Sequence, residues 1–225
     1  MKQLWVLALS FGLCGAAHAQ FPANNTPWKK LYDICAADQT PQLRLTTCDA
    51  ALLAMPEGHT DTAWPHWYKA DAKLSLKDFD GAIAESDLAA QKLPTERHIL
   101  NMQCWVRAVA NRDLDVARKA CDAANAENPD DPGQWDSAGL LALRQHRWKD
   151  AQQAFAKGLS IDRGVASSRY GLALANIALS NDAVDSKAIM EGAVKLQPTV
   201  AADYKGYGLS PDDVKALAKK YPPKQ

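Results

Sequence analysis

Four cysteines of this chain have a spacing that suits disulfide chemistry. Cys35 and Cys48 lie at equal distances from a point within the sequence QTPQ, and Cys104 and Cys121 lie at equal distances from a point within NRDL. In two antiparallel helices joined by a short turn, residues equidistant from the turn face each other within the Cα separation that a disulfide needs. The spacing therefore predicts the bonds Cys35–Cys48 and Cys104–Cys121. The alternative is four buried free thiols, which are common in helical proteins.

The histidines offer a second kind of chemistry. His59 and His66 bracket a segment that contains Asp61, and with nearby acids they could form a metal site or an enzymatic site. Structural zinc needs four well-spaced ligands, which this segment does not supply. His98 and His146 are expected at the surface. A metal-binding or enzymatic protein is therefore kept as the alternative to a binding protein.

Catalytic and nucleic-acid motifs are missing from the sequence. It has no Gly-rich phosphate loop, no Gly-x-Ser-x-Gly, no His-Glu-x-x-His and no Cys-x-x-Cys. Its 26 basic and 26 acidic residues balance, and no run of five like charges occurs. A basic patch for nucleic acid is therefore excluded. We predict no catalytic residue, no cofactor, no metal and no nucleic-acid partner.

The first 19 residues are typical of a secretory signal peptide. Lys2 precedes an apolar stretch over residues 4–13, which is too short to span a membrane, and small residues lead to a cleavage site after Ala19. Cys14 raises the alternative of an outer-membrane lipoprotein subunit, but Leu13 occupies the place where lipid processing needs a small residue. We predict a periplasmic or secreted protein without a transmembrane segment. Disulfides persist in these oxidising compartments.

Small residues recur along the chain with a period close to 34 residues. Ala89, Ala124, Gly158 and Ala193 are separated by 35, 34 and 35 positions. The strongest copy of the repeat lies within residues 134–162. Its marked positions are Trp135, Ala138, Gly139, Ala142, Ala151, Phe155 and Gly158. A fixed period of this length is the signature of a helical repeat protein, and these residues resemble the tetratricopeptide repeat family.

The resemblance implies an all-α, right-handed α-solenoid of about five antiparallel helix hairpins with a C-terminal capping helix. We divide the chain into a signal peptide (1–19), an atypical N-terminal hairpin (20–61), tetratricopeptide-like repeats (62–198) and a C-terminal segment with the capping helix (199–225). The sequence Ser210-Pro211-Asp212-Asp213 predicts where the capping helix begins. Trp105 falls where the repeat wants a small residue. Either the helices splay there or the repeat frame shifts by one residue.

The resemblance also implies a concave surface lined by the first helix of each repeat. The predicted protein-binding groove consists of Trp64, Trp67, Asp71, Leu74, Ile99, Met102, Val106, Val109, Asp136, Leu140, Leu143, Arg144 and Leu172. Family members that clamp a C-terminal carboxylate carry Lys and Asn at several of these positions, so that mode is not expected. A mainly apolar groove suits an amphipathic helix or an extended apolar segment.

The function predicted from the groove is that of a periplasmic adaptor or assembly factor with a protein or peptide partner. An apolar stripe through Trp67, Met102 and Leu140 is expected to carry the binding. The alternative is that the C-terminal segment, or a shift of the repeat frame, covers these side chains, since apolar patches can simply be buried.

Overall fold

The computed structural model describes residues 27–37, 39–180 and 185–223, and within these residues there is no β-strand. A short 3₁₀ turn, Thr60–Thr62, precedes the third of the helices. The helices are α1 (Pro27–Ala36), α2 (Pro41–Ala54), α3 (Ala63–Ser75), α4 (Phe79–Lys92), α5 (Arg97–Ala110), α6 (Leu114–Glu127), α7 (Pro132–Arg144), α8 (Trp148–Ile161), α9 (Ala166–Ala178), α10 (Ser186–Leu196), α11 (Val200–Gly206) and α12 (Pro211–Lys220). The predicted all-α class is confirmed.

Polar side chains fix where the helices begin. At the start of α4, Asp78 Oδ1 accepts a hydrogen bond of 3.0 Å from the amide of Gly81. At α12, Ser210 and Asp213 form a reciprocal capping box with Pro211 at the first helical position. Each of these bonds satisfies an amide that a helix start leaves unpaired. The capping helix begins where the sequence predicts it.

Five antiparallel hairpins stack in chain order to form an α-solenoid. They pair α1 with α2, α3 with α4, α5 with α6, α7 with α8 and α9 with α10. Neighbouring hairpins contact each other as well, for example α2 with α3, α4 with α5 and α8 with α9. After the last hairpin, α11 and α12 return to pack on α9. The predicted solenoid is therefore confirmed, whereas α11 is an element that the sequence pattern missed.

A phenylalanine between two glycines shows how closely the helices approach. Phe155 of α8 is fully buried, and a Cβ atom added at Gly139 of α7 would lie 2.5 Å from its ring. A Cβ atom at Gly171 of α9 would lie closer still. The small positions of the repeat are thus required because an aromatic ring fills the space between three helices.

Two disulfide bonds join helices within hairpins. Cys35–Cys48 links α1 to α2 with a Cα separation of 4.7 Å, and Cys104–Cys121 links α5 to α6 with a Cα separation of 5.3 Å. Both are the pairings that the spacing predicts. Each closes a short loop, which is worth about 3 kcal/mol of stability in the chain-entropy estimate.

The predicted signal peptide and Cys14 lie outside the described residues. Among the helices that are described, none is both long enough and apolar enough to cross a membrane.

Candidate functional site

The C-terminal segment, residues 199–223, lies across the inner face of the solenoid. The Tyr204 hydroxyl donates a hydrogen bond of 3.1 Å to the carbonyl oxygen of Ser167 on α9. The Tyr207 ring meets the Trp105 ring of α5 edge to face, with centroids 6.3 Å apart. The segment therefore reaches from α9 back to α5, and it fills a surface that the sequence left open as a groove.

This segment covers the inner side of α7. Leu140 and Leu143 are fully buried and share one core cluster with Leu209 and Val214 of the segment. Asp136 lies on the same side of α7, since residues at i, i+4 and i+7 fall on one helix face, and it is also buried. The prediction that these α7 residues form an open groove is wrong, because the chain's own C-terminus occupies the space.

A shift of the repeat frame accounts for the predicted groove residues of α5. The first helices of the third and fourth hairpins, α5 and α7, begin 35 residues apart, at residues 97 and 132. The second helices of the same hairpins, α6 and α8, begin only 34 residues apart, at residues 114 and 148. If the inner positions of α5 are assigned by counting back from α6 with the spacing of the fourth hairpin, each residue number obtained is one too high. Trp105, which departed from the repeat pattern, then takes an inner position, and the disulfide-bonded Cys104 takes the small one.

The predicted groove residues of α5 consequently belong to the core. Met102 and Val106 are buried against Ala70 of α3 and Ala82 of α4, and Ile99 is buried against the same hairpin. Val109, at the end of the helix, is 5% exposed. Their placement in an open groove is wrong. Of the remaining positions, Leu172 is half-buried against the main core cluster.

An open part of the inner face remains on α3 and α5. Trp64, Trp67 and Leu74 of α3 lie beside His98 and Trp105 of α5, and all five side chains are half-buried. The Trp67 indole donates a hydrogen bond of 3.1 Å to the His98 carbonyl oxygen, and the rings of Trp64 and His98 lie 6.4 Å apart. We call these five residues the aromatic strip. Trp64, Trp67 and Leu74 were predicted groove residues, whereas His98 and Trp105 were not.

Polar groups border the aromatic strip. Asp71, a predicted groove residue of α3, accepts a hydrogen bond of 2.8 Å from Arg44 of α2. On α5, the Asn101 side-chain oxygen is buried without a hydrogen-bond partner among the described residues. The strip is therefore an apolar surface with one ion pair at its border and a buried amide beneath it.

The two histidines of the metal hypothesis point to different partners. His59 Nδ1 accepts a hydrogen bond of 3.2 Å from the Asp61 amide, whereas His66 Nδ1 lies 2.7 Å from a carboxylate oxygen of Glu85. Across the described residues, no group of three His, Cys, Asp or Glu side chains is placed to hold a metal.

Glu85 instead belongs to a network that joins α2, α3 and α4. Lys69 lies 2.8 Å from Glu85 and 2.7 Å from Asp49. Burial alone would raise the pKa of Glu85, but hydrogen bonds from His66 and Lys69 outweigh it and hold the pKa below its ordinary value. The network satisfies a buried carboxylate, which is a structural role.

Asp136 is a buried acid that has no cationic partner among the residues the structure describes. Its carboxyl accepts hydrogen bonds of 2.8 and 2.7 Å from the hydroxyls of Ser167 and Ser168. Burial raises its pKa to about 6, and the two serine bonds oppose this shift only in part. Burial, and then the charge of Asp136, raise the pKa of Tyr204. The inner face therefore holds a carboxyl whose neutral form is stabilised relative to that of an exposed aspartate.

The fold defines the class of protein: a tetratricopeptide-repeat-like α-solenoid with part of its inner face filled by its own C-terminus. Solved structures support this. MamA (residues 41 to the end) from Desulfovibrio magneticus RS-1 matches with a TM-score of 0.60 and 14% identity, covering 76% of this chain and 94% of that one. A tetratricopeptide repeat protein from Parabacteroides merdae ATCC 43184 matches with a TM-score of 0.56 and 18% identity, covering 85% of this chain and 74% of that one. Neither a family model nor a curated protein matches the sequence.

Proposed function

We propose that this chain is an exported protein-binding adaptor or assembly factor that holds a partner along the aromatic strip. The observation that carries the proposal is the strip itself: Trp64 and Trp67 of α3 and Trp105 of α5 are only half-buried on the inner face, although their rings pack against the core and Trp105 meets Tyr207. Large aromatic side chains are the residues that most often dominate protein interfaces. A repeat solenoid offers such a surface as a rigid scaffold.

The partner that suits this surface is an apolar or aromatic segment of another protein. The strip provides indole faces and an aliphatic side chain, Leu74, rather than a line of charges. Such surfaces take the apolar face of a helix or an extended segment.

Export to the periplasm is part of the proposal. The leader over residues 1–19 is typical of a secretory signal, and the two disulfides need an oxidising compartment to persist. A role without catalysis is also part of it, because the two histidines of the metal or enzyme alternative, His59 and His66, make local structural contacts with Asp61 and Glu85.

Replacing Trp67 by Ala should weaken binding of the partner by about thirtyfold, or ~2 kcal/mol, because the change removes an aromatic anchor from the centre of the strip. The partner is first captured from the periplasm with the wild-type protein, and its dissociation constant is then measured with purified components. Helix content should stay close to that of the wild type.

Trp135 provides the matched control. It is also half-buried on a first helix and its indole also donates to a backbone oxygen, that of Pro129, at 2.7 Å. It lies outside the strip, so Trp135→Ala should leave the affinity unchanged. His59→Ala and His66→Ala should do the same. If the histidine variants abolish binding of the partner while Trp67→Ala leaves it unchanged, the metal or enzyme alternative replaces the adaptor.

A further inference from the structure

A small cavity lies between the C-terminal segment and the ends of α5 and α7. Its volume is about 310 Å³, and its lining residues are Asn111, Leu143, Arg144, His146, Tyr207, Gly208, Leu209 and Leu217. Most of this lining is apolar or neutral. Arg144 is the lining residue with a permanent charge, so it sets the electrostatic character of the cavity.

Arg144 uses only one edge of its guanidinium within the protein. Nε donates to the carbonyl oxygen of Ala108 and Nη2 donates to that of Val109, both at 2.8 Å. These two donors form the side edge of the planar group. The end edge, formed by one N–H of Nη1 and the second N–H of Nη2, makes no hydrogen bond to another described residue. It presents two parallel donors, the arrangement that a carboxylate accepts.

The charge of Arg144 has no counterion in the described part of the chain. None of the ion pairs formed by the described residues includes it. Burial lowers the pKa of Arg144 to about 10, so the environment disfavours the charge that the side chain carries. Arg144 is half-buried, so its charge loses part of its hydration, and an anion in the cavity would compensate for this loss.

The charge that lines the cavity favours an anion over a cation, although Asp203 and Asp136 add negative charge near Tyr207. His146 lines the cavity, and the nearby Lys220 adds positive charge beside it. Tyr207 contributes a phenol whose pKa burial raises to about 12, so its hydroxyl stays neutral and able to donate. The amide of Asn111 can donate as well. The cavity thus joins one charged fork to neutral donors.

We propose that this cavity is a carboxylate-binding site, in which the end edge of Arg144 holds the carboxylate of a small organic acid or of an acidic side chain. The site is separate from the aromatic strip and does not depend on the adaptor function. It also differs from a clamp built of Lys and Asn on successive inner positions, because a single arginine behind the C-terminal segment supplies the charge.

The test measures binding to the purified mature protein by calorimetry at pH 7 and constant ionic strength. The probes are acetate and glutarate, the blocked amino acid N-acetyl-glutamate amide, the neutral isostere glutaramide, and inorganic phosphate. Saturable binding of carboxylates without binding of glutaramide is expected. Tight binding of acetate or glutarate identifies a free acid as the source, and tighter binding of the blocked glutamate identifies an acidic side chain.

Variants assign the binding to this cavity. Arg144→Gln should weaken the best carboxylate about tenfold or more, and Arg144→Lys should also weaken it, because an ammonium lacks the planar fork. Arg147→Gln is the matched control, since Arg147 is a half-buried arginine that pairs with Asp150 and does not line the cavity, and it should bind as the wild type does. Leu217→Phe keeps Arg144 but fills the cavity, so it should weaken binding without removing the α5 contacts.

Three results would overturn the proposal. They are the absence of saturable binding by any carboxylate, equal affinity of wild type and Leu217→Phe, and a preference for phosphate over every carboxylate. Partner binding along the aromatic strip is measured independently, so failure here leaves the adaptor function standing.

Discussion

Replacing Gly139 by Leu should lower the free energy of unfolding by about 3 kcal/mol or more, since overpacking of a filled core strains its neighbours. The reason is specific to this site, because even a Cβ atom at Gly139 would approach the Phe155 ring to 2.5 Å. The ring has little room to move, since Gly171 of α9 packs against it even more closely. Denaturant unfolding of the oxidised protein, with both disulfides intact, measures the change.

Two further variants separate a steric clash from a loss of glycine alone. Gly206→Ala should leave stability unchanged or slightly raised, because nothing lies within 4 Å of the added methyl group. Gly139→Ala should destabilise the wild-type protein. The same change should have a smaller effect in a Phe155→Leu background, since the smaller side chain frees space. An unchanged melting temperature for Gly139→Leu would show that α7, α8 and α9 do not meet at this residue.

Replacing Asp136 by Asn should stabilise the protein at neutral pH and have little effect near pH 4. The pKa of Asp136 is about 6 in the folded chain and about 3.9 in an unfolded one. The folded state therefore holds this proton more tightly, and the stability that the proton provides is fully present below the unfolded pKa. It is lost as pH rises through the folded pKa, by up to about 3 kcal/mol. Asparagine keeps an acceptor for Ser167 and Ser168 but does not ionise.

The measurement is the difference in unfolding free energy between Asp136→Asn and the wild type at several pH values from 4 to 8. Taking the difference removes the contribution of carboxylates such as Glu85, whose pKa is lowered and whose stabilisation is lost in acid. Asp130→Asn, in the exposed turn before α7, is the control and should show no such trend. A difference that is constant with pH would mean that Asp136 is not buried beneath the C-terminal segment.

The repeat period predicts the fold because each hairpin is a local unit with its own pattern. Gly139, Phe155 and Gly158 mark where helices come close, and such contacts follow directly from residue size. The cysteine spacing predicts the disulfides for the same local reason, since each bond lies within one hairpin. Ser210 and Asp213 predict the start of α12 because a helix cap involves only neighbouring residues.

The inner surface was harder to predict because it depends on contacts between distant parts of the chain. No local pattern indicates that Tyr204, Tyr207 and Leu209 return to cover α7. Only Trp105 gave a signal, since a large residue at a small position indicated that the frame of α5 was displaced. A shift of one residue along a helix turns the side-chain direction by about 100°. Met102 and Val106, which the unshifted frame assigned to the groove, therefore lie in the core.

Photo-crosslinking can show whether a partner protein binds on the inner face at the aromatic strip. A benzophenone amino acid is placed at Trp64 or Leu74 of the strip and, for comparison, at the exposed Leu88 of α4 or Val116 of α6. Each variant is produced in the native host and exported to its periplasm. We expect both strip positions to crosslink to the same protein and both outer positions to give no such product. Crosslinks from Leu88 and Val116 with silent strip positions would contradict the account.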